Sequence, residues 1–209
     1  MVSSDEELLA AWAKGDRDAA NQLFERHFTA VYRFFRSKLS EQVEDLVQDT
    51  FVGVVTGRER LRDTASFRSY MFGVARNILR QHFRKGRVQG GEVEMSVQSV
   101  VDLCPGFGTA LGKKQEHRVH AQALSRLPVD YQIAIELFYW EKLSGPEIAD
   151  VLELTEPAVR SRIHRAKKAL RTEIEQVAGS AALIASTWEG LDQWAEALAV
   201  ERSPPSETP

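Results

Sequence analysis

The sequence has little that would tie it to an oxidising compartment or to a membrane. Its single cysteine, Cys104, cannot form a disulfide within the chain, and no run of about 18 apolar residues is present that could span a bilayer. The N-terminal stretch MVSSDEELLAAWAKGD is acidic, whereas a signal peptide begins with a basic segment. We therefore expect a protein that acts in the reducing cytoplasm and does not insert into membranes.

The sequence also lacks the residue patterns of common catalytic and metal sites. It has no Gly-rich phosphate-binding loop and no evident pairing of a nucleophile with a base. No set of Cys and His residues has the spacing of a metal site. We predict that the chain is not an enzyme and that it binds no metal and no cofactor.

Strand-forming patterns are missing as well, and the chain divides into two helix-rich blocks. The first block contains no proline between Asp5 and Lys85, and no part of it alternates apolar and polar residues long enough to indicate a strand. Its predicted helices are 6–14, 17–39, 42–56 and 66–84. We predict an all-α fold of two small helical domains joined by a flexible linker, the second containing a helix-turn-helix. The expected segments are a first domain over 1–85, a linker over 86–115, a second domain over 116–177 and an acidic, partly disordered extension over 178–209.

Positive charge is concentrated in one helix-sized segment, LTEPAVRSRIHRAKKALR (154–171). It holds six Arg or Lys residues and one acid, although the net charge of the chain is −3. The C-terminal extension accounts for part of the balance, since five acids and one arginine follow Gln176. On a helical wheel the segment has a narrow apolar stripe, which leaves the basic residues on the other faces. The stripe consists of Val159, Ile163, Ala166 and Leu170.

Two helix starts near this segment have the spacing of a helix-turn-helix. Ser144 and Glu147 can form a capping box at the start of one short helix, and Thr155 with Pro157 marks the start of the next. In a helix-turn-helix the second helix enters the major groove, where Arg and Lys contact phosphates and guanine edges. The alternative is a solvated basic face on an ordinary helix. The cap, the short turn and the one-sided stripe together favour contact with DNA.

The first block carries a second basic helix. Arg76, Arg80 and Arg84, which we call the arginine ladder, follow one another at i, i+4 spacing beside Asn77. Like charges at that spacing cost about 0.2–0.5 kcal/mol per pair in an isolated helix. Either an acid from elsewhere in the fold or a bound polyanion relieves this repulsion, and we favour the polyanion. The apolar stripe of this helix consists of Phe72, Ala75, Leu79 and Phe83.

The helix before the ladder, within QVEDLVQDTFVGVV (42–55), has the opposite charge. Its apolar stripe consists of Val43, Leu46, Val47, Phe51 and Val54. The outer side carries Glu44, Asp45, Gln48 and Asp49. DNA would repel such a surface. The sequence leaves open whether this helix binds a basic protein surface or is simply solvated.

The loop between these two helices, TGRERLRDTAS (56–66), is longer than most connections in compact domains. Loops of that length are often functional. Phe67 and Tyr70 follow the loop closely enough to stack on an unpaired base, so the loop and the arginine ladder together indicate a candidate site for single-stranded nucleic acid.

These features together resemble the extracytoplasmic-function (ECF) sigma factors of the bacterial sigma-70 superfamily. The resemblance covers residues 20–175 with an interruption at the linker, and several motifs in a fixed order are more specific than a helix-turn-helix alone. The motifs are VEDLVQDTFVGVV (43–55), FRSYMFGVARNILRQHFRK (67–85), ALSRLPVDYQIAIELFYWEKLSGPEIADVL (123–152) and TEPAVRSRIHRAKKALR (155–171).

The resemblance implies a sigma factor that directs RNA polymerase to specific promoters and initiates transcription, for a stress or envelope response. The implied partners are core RNA polymerase, promoter DNA and an anti-sigma factor. The DLVQDTF helix would contact the clamp of core polymerase through Asp45, Gln48 and Asp49, which favours a protein partner for the acidic helix. The linker would run through the polymerase towards the RNA exit channel.

The resemblance also implies two DNA-binding surfaces. The surface that reads and melts the promoter around minus ten would use Arg62, Asp63, Thr64, Ser66, Tyr70, Arg76, Asn77, Arg80 and Arg84. The helix-turn-helix would read the element around minus thirty-five with Thr155, Glu156, Pro157, Arg160, Ser161, His164, Arg165 and Lys168. Two positions depart from the family pattern. Tyr70 stands where many members have tryptophan, and Pro157 stands where a small or flexible residue is common.

Another class of function fits part of the same sequence. An autonomous helix-turn-helix regulator with an N-terminal sensing domain would bind DNA by itself, usually as a symmetric dimer. The acidic helix and the arginine ladder, far from the helix-turn-helix in sequence, favour the sigma factor. The C-terminal extension lies outside the shared pattern and is expected to form an amphipathic helix over 188–200. It could cover a core patch, inhibit the chain or hold another protein, and its tryptophans Trp188 and Trp194 favour packing.

Overall fold

The structure, a computed structural model, describes residues 3–57, 61, 66–88 and 111–189. Within these ranges the chain is helical and contains no strand, which confirms the predicted all-α class. A π-helical turn, Glu136–Trp140, extends the sixth helix. The helices are α1 (Asp5–Ala13), α2 (Arg17–Arg36), α3 (Val43–Thr56), α4 (Phe67–Val88), α5 (Leu111–Ser125), α6 (Val129–Ile135), α7 (Gly145–Leu152), α8 (Glu156–Val177) and α9 (Ala181–Glu189).

Local capping groups set the start of the first two helices. At α1, the Ser4 hydroxyl accepts a hydrogen bond from the Glu7 N–H (3.2 Å), and the Glu7 carboxylate accepts one from the Ser4 N–H (2.9 Å). At α2, the Asp16 carboxylate accepts from the N–H groups of Asp18 and Ala19. These bonds satisfy backbone donors that have no partner inside the helix, and they fix where each helix begins.

Helices α1 to α4 pack around an apolar core. α2 lies against α1 and α3, and α3 lies against α4. Leu23, Phe35 and Phe72 are fully buried in this core. The predicted apolar stripe of α4 is confirmed, because Phe72, Ala75 and Leu79 are buried and Phe83 is partly buried.

Helices α5, α6, α8 and α9 enclose a second core. α8 contacts both α5 and α6, and α9 lies on α5 and α8. Leu124, Ile135 and Ile174 are buried there. The apolar stripe predicted for the basic segment faces inward as expected, with Val159, Ala166 and Leu170 buried and Ile163 partly buried.

Helices α7 and α8 form the predicted helix-turn-helix. Ser144 and Glu147 make the expected capping box, with the Glu147 carboxylate accepting from the Ser144 N–H at 2.8 Å. Glu153 follows the last residue of α7 and has a left-handed backbone (φ 55°, ψ 48°). The Leu154 N–H donates to the Ala149 carbonyl at 3.0 Å. This Schellman-type turn lets a new helix begin almost at once. Thr155 precedes α8 as predicted, although its side chain makes no capping hydrogen bond within the described residues.

The two helical blocks share buried surface instead of standing apart. α7 packs against α4, and Ile148 and Leu152 of α7 belong to the same apolar cluster as Phe72 and Leu79 of α4. Residues of α6 and of the π-helical turn, such as Ile133, join this cluster. We call this contact between helices α1–α4 and the segment from α6 to α7 the seam.

Helix boundaries differ from those expected at the predicted linker. α4 continues to Val88 and α5 begins at Leu111, so both ends of the predicted linker are helical. The rest of it, including Cys104, lies outside the described residues. α9 comprises Ala181–Glu189, and nearly all of the helix predicted over 188–200 lies outside the described residues. None of the described helices combines the length and the apolar character needed to cross a membrane.

Candidate nucleic-acid and polymerase surfaces

The outer side of α8 carries the residues predicted to read the upstream promoter element. All eight are exposed, and we call them the α8 surface: Thr155, Glu156, Pro157, Arg160, Ser161, His164, Arg165 and Lys168. Because Val159, Ala166 and Leu170 hold the opposite side of the helix in the core, the exposed set points away from the protein. The structure therefore brings these residues together on one accessible helix face.

Three cations of the α8 surface lack acidic partners. Among the described residues, no carboxylate lies within 4 Å of Arg160, Arg165 or Lys168. The neighbouring basic residues of α8 differ in this respect, since Arg162 lies 3.8 Å from Asp130 and Arg171 lies 3.3 Å from Glu175. The uncompensated charge is thus confined to the exposed side, where a polyanion could approach.

The arginine ladder of α4 has a different environment. Arg76 is 5% exposed, and its Nη1 donates to the Val151 carbonyl of α7 at 3.3 Å and lies 3.4 Å from the Glu153 carboxylate. Arg80 lies 3.9 Å from the same carboxylate. Glu153 is therefore an acid from elsewhere in the fold that relieves the repulsion between Arg76 and Arg80, whereas the sequence favoured a bound polyanion. Asn77 and Arg84 are exposed, as is most of Arg80.

The start of α4 also contacts the helix-turn-helix. The Ser66 hydroxyl lies 2.6 Å from the Glu147 carboxylate, which is part of the capping box of α7. Burial tends to raise the pKa of Glu147, but hydrogen bonds from Ser66 and Ser144 and the nearby Arg68 guanidinium outweigh burial, so this pKa is lowered. The side chain of Glu147 is thereby held in its ionised form beside α4.

The aromatic residues proposed for stacking are not exposed in this structure. Phe67 is 2% exposed and lies against the His27 ring, with 5.4 Å between ring centroids. A base cannot stack on Phe67 in this structure, so that prediction is corrected. Tyr70 is also buried. Both residues face the core of the first block because they occupy the inner side of the first turn of α4. Arg62, Asp63 and Thr64 lie outside the described residues.

The acidic residues of α3 lie on the outside, as predicted. Glu44, Asp45, Gln48 and Asp49 are exposed, and we call them the acidic surface. Val43, Leu46, Val47 and Val54 are buried on the inner side. The predicted apolar stripe is confirmed, with Phe51 partly buried, and the acidic surface is accessible to a partner.

An apolar groove of about 570 Å³ adjoins the acidic surface. Its walls include Phe24, Phe28 and Phe51, and its rim includes Val52 and Val55. Phe28, Val52 and Val55 are each more than 40% exposed. Sequence reasoning missed this groove, although Val52 and Val55 fall off the predicted stripe of α3 and gave a signal. The combination offers a partner both apolar and acidic contacts.

A buried ion pair crosses the seam. The Lys38 ammonium forms a salt bridge with the Glu136 carboxylate of the π-helical turn, and their side chains are 0% and 3% exposed. The Ser37 hydroxyl donates to Glu136 at 2.8 Å, and Lys38 donates to the Phe34 carbonyl at 2.7 Å. Burial lowers the pKa of Lys38 and raises that of Glu136, and their mutual attraction offsets burial only in part.

A second ionic cluster lies nearby at the same seam. Glu141, which is 5% exposed, lies 3.5 Å from the Arg33 guanidinium of α2 and 2.9 Å from the Arg68 guanidinium of α4. Sequence reasoning missed these residues. An acid such as Glu136 within the apolar run QIAIELFYW could have indicated a buried partner, but nothing in the sequence identified that partner as Lys38.

The comparisons with known proteins point to one family. Two family models match the chain, Sigma-70 region 2 over residues 23–88 and Sigma-70 region 4 over residues 121–170. The ECF RNA polymerase sigma factor SigM of Mycobacterium tuberculosis is 31% identical over 169 residues, which cover 80% of this chain and 83% of SigM. The RNA polymerase sigma factor NccH of Alcaligenes xylosoxydans is 30% identical over 173 residues, which cover 80% and 93% of the two chains.

A solved structure extends the similarity to three dimensions. The structure of CnrH in complex with the cytosolic domain of CnrY matches with a TM-score of 0.56 and 26% identity, covering 83% of this chain and 99% of that one. The region 2 match contains α3 and α4, and the region 4 match contains the helix-turn-helix. The chain belongs to the ECF sigma factors of the sigma-70 family, the subunits that direct RNA polymerase to promoters.

Proposed function

We propose that this sigma factor divides its work among three surfaces. The α8 surface binds the promoter element around minus thirty-five, α4 with the loop before it binds the element around minus ten, and the acidic surface of α3 binds the clamp of core polymerase. In this proposal residues 1–85 and 116–177 act as two functional domains joined through 86–115. The chain acts in the cytoplasm and supplies promoter recognition, while the polymerase supplies catalysis.

The observation that carries this proposal is the uncompensated charge of the α8 surface. Arg160, Arg165 and Lys168 project from the second helix of a helix-turn-helix whose other side is buried. Phosphates would provide the missing anions and release counterions on binding. Glu156 and Pro157 lie in the first turn of α8, and in this motif the N-terminal residues of the second helix lie closest to the bases.

The exposed part of α4 suits the downstream element. Arg80 and Arg84 can contact phosphates, and the Asn77 amide can pair with a base edge. Arg62, Asp63, Thr64 and Ser66 precede this helix and would contribute contacts from the loop. Arg76 and Ser66 would join the DNA-binding surface once their contacts with α7 are released.

The acidic surface and its groove suit a protein partner. A protein interface commonly joins a central apolar contact with charged groups at its rim. The groove has this composition, because Glu44 and Gln48 of the acidic surface line it together with apolar residues. A basic, partly apolar surface of core polymerase would match it in charge. CnrH is seen with a domain of CnrY bound, and we propose that an anti-sigma factor also regulates this chain.

Association with core polymerase followed by run-off transcription on genomic fragments tests the proposed function. The purified chain should bind core polymerase and should produce discrete transcripts that core polymerase alone does not make. An Arg160→Ala, Arg165→Ala variant serves as a control, since it should bind polymerase normally and lose specific transcripts. A chain that ignores polymerase and binds duplex DNA tightly as a dimer would instead be an autonomous regulator.

A further inference from the structure

Two glycines at the end of α3 face the start of α4. A Cβ atom at Gly53 would lie 2.8 Å from Cγ1 of Val74, and a Cβ atom at Gly57 would overlap the Tyr70 hydroxyl. Atoms that pack normally are about 3.5–4.0 Å apart, so neither position has room for a side chain as small as that of alanine. Gly53 and Gly57 are about one helical turn apart, as are Tyr70 and Val74, so the two contacts belong to one antiparallel interface.

Backbone conformation does not account for the glycine at position 57. Its φ is −97°, a negative value that is accessible to every L-residue. A Cβ atom there would meet Cζ of Tyr70 at 3.6 Å, an ordinary contact, and the Gly53 carbonyl oxygen at 3.2 Å, which a small shift relieves. The Tyr70 hydroxyl is therefore the group that excludes a larger residue from position 57.

The Tyr70 side chain is held firmly where it contacts Gly57. It is 8% exposed and lies in the first turn of α4, where the Tyr70 N–H donates to the Ser66 carbonyl at 3.1 Å. The same turn is closed by reciprocal bonds, since the Ser69 N–H donates to the Ser66 hydroxyl and the Ser66 N–H donates to the Ser69 hydroxyl, each at 3.1 Å. A displacement of the Tyr70 ring is therefore transmitted to the start of α4.

This interface joins the two helices that we assign to polymerase and to minus-ten DNA. Asp45 and Asp49 are exposed on the outer side of α3, and Asn77 and Arg80 are exposed on α4. The place of α4 against α3 thus determines where Asn77 and Arg80 lie once α3 is bound to polymerase. Protein interiors are close-packed, so one extra methyl group shifts the elements around it.

We propose that Tyr70 is a positioning residue, whose contact with Gly57 sets the distance between α3 and α4 so that α4 meets minus-ten DNA correctly when α3 is docked on core polymerase. The inference rests on the proposed function, which assigns those two partners to α3 and α4. Tyr70 acts through α4 and does not touch the DNA, because its ring is buried. This role replaces the stacking on an unpaired base that the sequence indicated for Tyr70.

A double-mutant cycle tests the contact in the holoenzyme, the complex of the full chain with core polymerase. Gly57→Ala should reduce promoter opening, measured by permanganate reactivity of unpaired thymines, by about tenfold, which lies within the range for residues in contact. In the Tyr70→Phe background, which lacks the hydroxyl, the same alanine should reduce opening by less than about twofold. Gly73→Ala is the matched control, because a Cβ atom at this position of α4 meets no atom within 4 Å.

Two further measurements separate positioning from a loss of folding. Association of the Gly57→Ala chain with core polymerase should stay within about twofold of wild type, because Asp45 and Asp49 lie on the outer side of α3. Run-off transcription from a promoter library randomised at minus ten should show an altered base preference, since α4 carries Asn77. A library randomised at minus thirty-five should show the wild-type preference. A variant that is merely less stable would lower all activities together and would change neither preference.

Equal promoter opening by Gly57→Ala and Gly73→Ala would overturn the positioning role, and so would a loss that Tyr70→Phe does not reduce. If Gly57→Ala alone fails to fold, adding Tyr70→Phe should restore folding, and a double variant that stays unfolded would overturn the contact. Gly53→Ala, with Val74→Ala as the change that relieves it, then tests the same spacing, and normal opening by Gly53→Ala alone would reject the role. A wild-type chain that opens no promoter rejects the proposed function itself.

Discussion

The two basic helices of this protein look alike in sequence and differ in the structure. Both α4 and α8 carry several arginines beside an apolar stripe, and both are expected to bind DNA. In α8 the cations Arg160 and Arg165 face outward without a carboxylate nearby among the described residues. In α4 the cation Arg76 is buried against Val151 and Glu153. The α8 surface is open to a ligand, whereas the protein itself covers part of the α4 surface.

The difference shows what a local charge pattern can establish. A run of like charges on a helix indicates a nearby anion, because an anion relieves the repulsion between them. The run does not identify the anion as a phosphate or as a carboxylate from a distant part of the chain. Glu153 supplies the carboxylate for α4 from the turn between α7 and α8, and the described part of the chain supplies none for the outer side of α8.

The largest expected effect concerns upstream DNA. Replacing Arg160 and Arg165 together by alanine should weaken binding of the minus-thirty-five duplex by about a hundredfold, because each arginine that contacts DNA contributes about 1–3 kcal/mol. The slope of log K against log salt should become shallower by about 0.9 for each phosphate that is no longer neutralised. Fluorescence anisotropy across a salt series measures both. An unchanged slope would show that α8 does not contact DNA. The conclusion that the α8 surface is open to DNA, unlike the surface of α4, would then be wrong.

The next effect compares the stability of two arginine variants. Arg76→Ala should lower the free energy of unfolding by about 1–3 kcal/mol, since it leaves the Val151 carbonyl buried without its donor. Arg160→Ala should change it by no more than about 0.5 kcal/mol, because Arg160 is exposed. Urea unfolding followed by circular dichroism checks the pair. Equal losses would mean that Arg76 is not buried against α7.

A smaller effect should separate polymerase binding from promoter opening. Charge reversal at Asp45 and Asp49 should weaken association with core polymerase by about tenfold, because a complementary charge is replaced by a like one. Arg76→Ala with Arg80→Ala should leave that association nearly intact and impair promoter opening, measured by permanganate reactivity of unpaired thymines. If both variants lost both activities to the same degree, the division between α3 and α4 would be wrong.

The smallest effect is on the pH dependence of stability. Because the pKa of Glu147 is lowered below its ordinary value of 4.5, the contribution of Glu147 is present above about pH 4.5 and is lost as pH falls through the lowered value. Ser66→Ala removes one hydrogen bond that lowers this pKa. The variant should therefore lose slightly less stability on acidification than the wild type, with the two curves converging at low pH. Parallel curves would show that the bond across the seam contributes nothing.

Short-range features could be predicted from the sequence, because neighbouring residues determine them. The capping box of Ser144 and Glu147, the start of α8 after Thr155 and the buried stripes of α4 and α8 follow from spacing alone. The exposure of the α8 surface can be predicted in the same way, because residues opposite a buried stripe face the solvent. The family motifs added the likeness to sigma factors, which the comparisons confirm.

The seam could not be predicted, because it depends on contacts between residues far apart in the chain. Nothing in the sequence distinguishes Lys38 from an ordinary surface lysine. Its side chain is fully buried because it forms a salt bridge with Glu136. The spacing of the arginine ladder does not show that Arg76 is buried, and α7 covers its side chain. Burial of a charged group is decided by its partner, and a helical wheel shows one helix without its neighbours.

Binding of the free chain and of the polymerase-bound chain to two separate DNA probes tests the contrast between α4 and α8 most directly. One probe is a duplex with the upstream element, and the other is a single strand with the minus-ten element. The free chain should bind the upstream duplex measurably and the minus-ten strand poorly, and the polymerase-bound chain should bind both. Equal affinity of the free and polymerase-bound chains for the minus-ten strand would contradict a covered α4 and an open α8.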